Sequence, residues 1–353
     1  MWCALCEGGW SRRRVLGALG KAALALGVFP RAARAFTVVD ETADVSIGRE
    51  ADPEILKQFG YYENPELQSY IAEVGQRVTG VDSRFSFQFK VLDTPMINAM
   101  ALPGGFVYIT RGILALMNDE AQLAGVLGHE ATHVNSRHGA KLMTKALGSQ
   151  LATLAGIGAA AAAGGGGQAV TAVAMVASHM TNYMLLGYGR EYETEADEVG
   201  LRNARRAGYD PRRTVNFFRL MRRAEIMTGQ RLYHGFDATH PDTPIRIAKA
   251  DAMANLLIAE KGPLEVKTAE YRVHLDGLRY GEAKDRRRLR VYVAKPGDTL
   301  ASIAKTELQD EGRRFEIATL NDLRDDAAVA PGMALKLVVS NTASTYDLRL
   351  TPQ

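Results

Sequence analysis

Two histidines four residues apart enclose an acid in His129-Glu130-Ala131-Thr132-His133. An α-helix turns about 100° per residue, so side chains at i and i+4 project from nearly the same face. Two imidazoles placed in this way can both reach one zinc ion at about 2.0–2.1 Å. Glu130 lies one residue further round, displaced from the shared coordination direction. It stays close enough to take a proton from a metal-activated water and return it to a leaving amine. The apolar flank Leu123-Ala124-Gly125-Val126-Leu127-Gly128 buries such a helix, which argues against two stray surface histidines. Extrapolated along the same helix, His138 falls about 140° from His133 and is expected to be solvated or to cap, outside the metal's ligands.

A catalytic zinc needs a third protein ligand. No third histidine follows at the short spacing of metzincins, so a distant carboxylate is expected. Arg190-Glu191-Tyr192-Glu193-Thr194-Glu195-Ala196-Asp197 offers four acids. Glu193 and Asp197 are i, i+4 and share a helix face, so one can bind metal while the other orients a histidine. Spacing alone leaves Glu191, Glu193 and Glu195 open.

The elements that must carry these groups follow from periodicity and turn residues. From about Phe36 to Gly80 the pattern is helical, with Pro53 and Pro65 near helix starts. Residues 85–92 alternate as a half-buried strand, Ile97 to Leu102 is extended, Pro103-Gly104-Gly105 is a turn, and Phe106 to Thr110 is a third strand. Helix is expected from Asp119 to about Leu147, from about 190 to 207 ended by Gly208, from 211 to 228 started by Pro211, and again from near Asp242-Thr243-Pro244. Between 147 and 178 the chain is rich in Ala and Gly and broken by Gly164 to Gly167. It reads as two short apolar helices, neither of which comfortably spans a bilayer, and it offers a surface for peripheral membrane contact. Residues 261–289 read as a polar linker with a small strand or two, containing Arg286-Arg287-Arg288, and 290–340 as a separate strand–helix–helix–strand module followed by a tail, 341–353.

With 353 residues, 46% of them apolar, the chain can bury a packed core without disulfides or a structural metal. Its 43 Lys/Arg against 40 Asp/Glu include six bases and one acid within residues 1–35. The remainder carries 37 bases and 39 acids, and gives no electrostatic case for nucleic-acid binding. Ser11-Arg12-Arg13-Arg14-Val15-Leu16 resembles a twin-arginine export motif; an Ala/Leu-rich stretch and the small-x-small site Ala33-Arg34-Ala35 follow. Residues 1–35 are therefore expected to be an export signal, with the mature protein in the periplasm or cell envelope. Cys3 and Cys6 both fall in this segment, which leaves the mature chain free of cysteine and excludes a cysteine nucleophile.

Several further motifs resemble one family in the right order. They are Asn98-Ala99-Met100-Ala101-Leu102-Pro103-Gly104-Gly105, Gly125-Val126-Leu127-Gly128-His129-Glu130, Arg190-x-x-Glu193-x-x-Ala196-Asp197 and Thr239-His240-Pro241. Over about residues 45–250 the sequence is similar to the HtpX-type and CaaX prenyl-protease-like zinc metallopeptidases, nearest to their exported, BepA-like branch. The resemblance implies a single zinc per chain held by His129, His133 and Glu193, with Asp197 behind the ligands and Arg246 paired with an active-site carboxylate. It brings His240 to the active site as an oxyanion donor or as a fourth zinc ligand. Asn98, Ala99 and Met100 become candidates for the edge strand that pairs with an extended substrate backbone.

Near the C-terminus, Val291 to Ala304, Ile317 to Asn321 and Pro331 to Leu337 resemble a LysM domain, a module that binds N-acetylglucosamine-containing glycans such as peptidoglycan. The contact loops would be Gly297-Asp298-Thr299 and Asn321-Asp322-Leu323. The expected fold class is therefore α+β: a mainly helical zincin metallopeptidase domain over residues 36–260 with a small mixed sheet, plus a small βααβ LysM-like module. The expected function is zinc-dependent endopeptidase action on misfolded or misassembled envelope polypeptides. Two competing readings are a cell-wall-tethered chaperone or scaffold with its zinc site latched by His240, and a glycan-binding protein with a vestigial peptidase.

Overall fold

A computed structural model describes residues 41–80, 83–142, 188–228 and 243–340, all within the unit Val39–Gln353. The expected export segment, the Ala/Gly-rich stretch 147–178, His240 and the tail 341–353 lie outside the described residues.

The peptidase part begins with helices α1 (Glu41–Phe59) and α2 (Pro65–Thr79). Asn64 caps α2 by accepting from the backbone N–H of Leu67 at 3.0 Å, and Pro65 takes the first helical position, where a missing N–H costs nothing. Three short strands follow: β1 (Gln88–Leu92), β2 (Ala99–Leu102) and β3 (Phe106–Thr110), in the order β1-β3-β2. β1 runs parallel to β3 and β2 antiparallel to it, so this is a mixed sheet with β2 on an edge.

After the short helix α3 (Arg111–Leu116) comes α4 (Glu120–Asn135), which carries the histidine pair. Its cap is Asp119, whose carboxylate accepts from Gln122 N–H at 2.9 Å. Every residue from Glu120 to Val134 is buried. This total burial follows from the composition of α4, where Ala and Gly sit on the faces that meet other helices and no face is reserved for solvent. Helices α5 (Arg190–Arg206), α6 (Arg212–Thr228) and α7 (Thr243–Leu257) complete the surround. The mainly helical α+β class expected from periodicity is the one observed.

Glycine sets how closely these helices approach α4. A Cβ added at Gly200 of α5 would lie 2.8 Å from the His129 backbone nitrogen and 3.0 Å from its Cα. A Cβ at Gly128 would meet the Gly200 carbonyl oxygen at 2.9 Å, and one at Gly125 would overlap Thr214 of α6. Backbone therefore rests on backbone where α4 crosses α5, one residue from the first histidine.

The helix expected to run from Asp119 to about Leu147 stops at Asn135. Arg137 adopts a left-handed conformation (φ 56°), held by its Nε–Asp44 Oδ2 ion pair at 2.5 Å, and a new helical turn starts at His138. The stretch expected as a polar linker with a small strand or two holds strand β4 (Arg279–Tyr280) and, in addition, helix α8 (Thr268–His274). Beyond it β5 (Arg287–Val293), α9 (Leu300–Glu307), α10 (Arg314–Leu320) and β6 (Ala334–Ser340) follow in strand–helix–helix–strand order, with β4, β5 and β6 antiparallel. Lys336 of β6 is fully buried, and its ammonium donates to the carbonyls of Ala115 at 2.7 Å and Met117 at 2.6 Å, at the end of α3. Arg272 of α8 bridges the same region, donating to Ala334 O, to Asn118 O and to the Asn118 side chain.

The Gly128–Gly200 contact gives the first expectation. Gly200→Val forces side-chain atoms into the His129 backbone and should lower unfolding stability by about 1–3 kcal/mol, read by urea denaturation. An unchanged midpoint would mean that the two helices can separate freely at this point.

Candidate metal centre

The two histidines of α4 turn their imidazoles inward, and both are buried. Their Nε2 atoms face each other at 3.0 Å. From α5, Glu193, fully buried, brings Oε1 to 3.4 Å from His133 Nε2 and Oε2 to 3.6 Å from His129 Nε2. One ligand atom from each of the three residues can be chosen so that all lie within 4.8 Å of one another. Ligands at Zn–N and Zn–O distances of about 2.0–2.1 Å in a tetrahedral site stand about 3.3 Å apart, so these separations fit a zinc-sized cation. The donor set fits as well, since two neutral imidazoles and one carboxylate form a common catalytic zinc shell that leaves a coordination position open.

The second nitrogen of His129 is addressed from α5. Asp197 Oδ1 lies 3.0 Å from His129 Nδ1, which assigns the ring proton to Nδ1 and leaves the Nε2 lone pair pointing at Glu193. Arg246 of α7 joins both acids: its Nε and Nη2 donate to Asp197 at 2.7 Å each, and its Nη1 is 2.9 Å from Glu193 Oε2. Burial alone would raise the Asp197 carboxyl, but hydrogen bonds and charge from Arg246, and then His129, outweigh it and bring the group down to about 2. Asp197 is therefore a carboxylate across the working pH range. Arg246 in turn lies over the Phe218 ring, 5.5 Å from its centroid.

Glu130 is also fully buried. Tyr188 stacks on His133 with ring centroids 3.8 Å apart and planes 14° apart. Burial, followed by the negative charges of Glu130 and Glu193, pushes the Tyr188 phenol well above its ordinary value, which places the phenol in the field of both acids. Its hydroxyl reaches Ala101 O on β2 at 3.4 Å. A small cavity between this strand and α4 is lined by Ala101, Leu102, His133, Arg137 and Tyr188.

The register of β2 decides which of its groups face outward. Thr110 N–H donates to Asn98 O at 3.1 Å, so 98 and 110 form a hydrogen-bonded pair. Alternation along the antiparallel ladder then turns Met100 and Leu102 toward β3, and turns the N–H and C=O of Ala99 and Ala101 to the outer edge. Of the three residues proposed from sequence for substrate pairing, Asn98 and Met100 thus bond inward and Ala99 outward.

His138 departs from the helical extrapolation. Because the chain reverses at Arg137, the ring returns beside His133 with no exposure to solvent, and the two Nδ1 atoms are 2.9 Å apart. His138 stacks on Tyr192 at 4.4 Å, and its Nε2 lies 3.3 Å from Glu195 Oε2. Glu191 and Glu195 remain on the exposed side of α5. Tyr188 and Tyr192 are not among the candidates read from the sequence, and His138, expected to be solvated or to cap, is buried against the site instead. Tyr192 and Glu195 share one side of α5, and Tyr188 lies two residues before the helix begins; the spacing of two tyrosines around the acidic run is the sequence signal that something planar packs there.

Residues 62–254 match Peptidase family M48. Over 224 residues the chain is 30% identical to the mitochondrial metalloendopeptidase OMA1 of Schizosaccharomyces pombe, covering 62% of this chain and 63% of that protein. It is 29% identical over 214 residues to the beta-barrel assembly-enhancing protease of Escherichia coli K12, covering 59% and 42%, and 27% identical over 203 residues to the human mitochondrial metalloendopeptidase OMA1, covering 56% and 38%. The chain spans less than two thirds of the length of these relatives. The family match runs through both imidazoles, Glu193 and Arg246 and takes in more than half of the sequence, so the chain belongs to peptidase family M48.

Proposed function

We propose that this protein is a zinc-dependent endopeptidase with His129, His133 and Glu193 as metal ligands and Glu130 as general base. The observation that carries the reading is the buried trio of donors 3.0–3.6 Å apart, braced from behind by Asp197 and Arg246. Zinc in this position would supply a Lewis acid that polarises the scissile carbonyl and lowers the pKa of water. The protein's own residues do the rest. Glu130 accepts a proton from water and returns it to the leaving amine nitrogen. Arg246 and Asp197 keep the ligand carboxylate and imidazole in their binding orientation. His240 is the candidate for stabilising the oxyanion or for closing the site as a fourth ligand.

The substrate is a polypeptide in extended form. Pairing along β2 through Ala99 and Ala101 would hold it by backbone groups common to every sequence, with the neighbouring Asn98 and Met100 shaping the strand. Within the family the proposed grouping is with the HtpX-type and CaaX prenyl-protease-like enzymes, nearest to an exported BepA-like branch, and the proposed action of this chain is on misfolded or misassembled proteins in the periplasm or cell envelope. The arginine-rich N-terminal segment supports export. The C-terminal strands and helices are proposed as a LysM-like module that contacts peptidoglycan. Asn321 is buried there and bound to the Lys336 backbone, which leaves glycan contact to Gly297-Asp298-Thr299 and Asp322-Leu323.

Three substitutions test the site. Glu130→Gln should lower casein cleavage by at least about 100-fold while one zinc per chain is retained; cleavage at the wild-type rate would remove Glu130 from the chemistry. Glu193→Ala should abolish stoichiometric zinc, measured by atomic absorption after dialysis, and a retained equivalent would show that another residue completes the shell. Arg246→Gln leaves Asp197 and Glu193 without their guanidinium and should weaken zinc binding by about 10- to 100-fold in a chelator competition.

A further inference from the structure

We infer that His138 is a positioning residue that fixes the tautomer and orientation of the metal ligand His133, acting through an imidazole–imidazole–carboxylate relay that ends at Glu195. The inference rests on the zinc reading above and extends it to residues outside the ligand set.

The protons can be placed one at a time. A neutral imidazole has one N–H, so if His133 offers its Nε2 lone pair to a cation, the proton must sit on Nδ1. His133 Nδ1 faces His138 Nδ1 at 2.9 Å, a distance at which one nitrogen must donate and the other accept. His138 Nδ1 is then the bare acceptor, and the His138 proton belongs on Nε2. That atom lies 3.3 Å from the Glu195 carboxylate, which accepts only; the pair is a charge contact at this distance rather than an aligned hydrogen bond. Glu195 is itself held by the Ser136 hydroxyl, which donates to Oε1 at 2.6 Å. Each step has the right partner type, and reversing any one of them would set a donor against a donor or a lone pair against a lone pair.

The surroundings fix the ring planes as well. Tyr188 stacks on His133 and Tyr192 on His138, so each imidazole is clamped by an aromatic ring of the α5 segment while their nitrogens meet edge to edge at an interplanar angle of 72°. His138 is fully buried, whereas Glu195 at the outer end is 45% exposed. The relay therefore runs from a buried ligand to the protein surface. It parallels the Asp197 contact to His129, so each of the two ligand imidazoles has its own polar partner behind it.

The test is zinc affinity by chelator competition on the full chain with His138→Leu, His138→Asn and Glu195→Ala. Asn keeps an acceptor oxygen near the Nδ1 position, whereas Leu keeps volume without one. His138→Leu should weaken zinc binding by about 10- to 100-fold, and His138→Asn should stay within about threefold of wild type. Glu195→Ala changes an exposed side chain and keeps the fold safe should the Leu variant be unstable; it should weaken binding by at least about threefold. In the zinc-loaded wild type, the His133 Nδ1 proton should appear in the imidazole NMR region and be lost or shifted in His138→Leu but kept in His138→Asn. Equal affinity for all four proteins would overturn the relay while leaving the metal site standing, as would an Asn variant as weak as Leu. A wild type that binds no zinc would instead defeat the metal reading, and the relay with it.

Discussion

His129 Nε2, His133 Nε2 and the Glu193 carboxylate are pressed to within 3.6 Å of one another in the protein interior, and all three are lone-pair carriers. Acceptors that converge in a low-dielectric space repel, and burying an uncompensated carboxylate costs several kcal/mol. The helices cannot relieve this by moving apart without losing the close backbone contact at Gly128 and Gly200. The arrangement is favourable when a cation is shared among the acceptors. Charge balance points the same way: Glu130, Glu193 and Asp197 are buried together, Arg246 supplies one positive charge against two of them, and a divalent ion would offset two more.

That constraint explains why α4 is anchored at both ends. At its N-terminus Glu120, where a negative charge complements the helix dipole, accepts from the hydroxyls of Tyr70 at 2.8 Å and Tyr209 at 2.6 Å and pairs with Lys267 at 3.1 Å. Asp119 at the cap is paired with Arg213 of α6. Strand β6 and helix α8 add a further brace one connection upstream, since Lys336 and Arg272 bind the carbonyls of Ala115, Met117 and Asn118 at the end of α3 and just before α4. At the other end, the left-handed residue Arg137 stops the helix one residue before His138 and is tied to Asp44 of α1. A helix that must hold two imidazoles in register for a shared ion thus has little freedom to slide or rotate.

Much of this could be read from residue order, and the parts that could not have identifiable causes. His129, Glu130 and His133 were legible because their geometry depends on local helix phase alone. Glu193 was one of three open acids by spacing, and only family resemblance singled it out. A finer phase argument existed: Glu193, Ala196, Asp197, Gly200, Leu201 and Ala204 repeat at three and four residues and are all buried, while Glu191 and Glu195 fall out of phase. His138 was misread as solvated because the extrapolation assumed one continuous helix beyond Asn135. Arg137 is not a glycine and carries no sequence mark of a left-handed turn, so the reversal depends on a tertiary contact to Asp44 that no local pattern encodes. The small mixed sheet was visible as three extended segments, but the outward direction of Ala99 and Ala101 required the pairing register.

The α5 segment joins the two halves of this account. One face of its first turns delivers Glu193 and Asp197 to the imidazole nitrogens, and the neighbouring Tyr188, Tyr192 and Glu195 grip the faces and far edge of the second and third imidazoles. Ligand supply and ligand orientation therefore both depend on where this helix starts, and Tyr188, two residues before it, adds the contact to Ala101 of the edge strand. A displacement of its first turn by one residue would rotate Glu193 by about 100° away from the histidines and carry Tyr192 off the His138 ring in the same movement. The Gly128–Gly200 contact fixes the two helices against each other at close range, and with them the approach of Glu193 and Asp197 to the imidazoles.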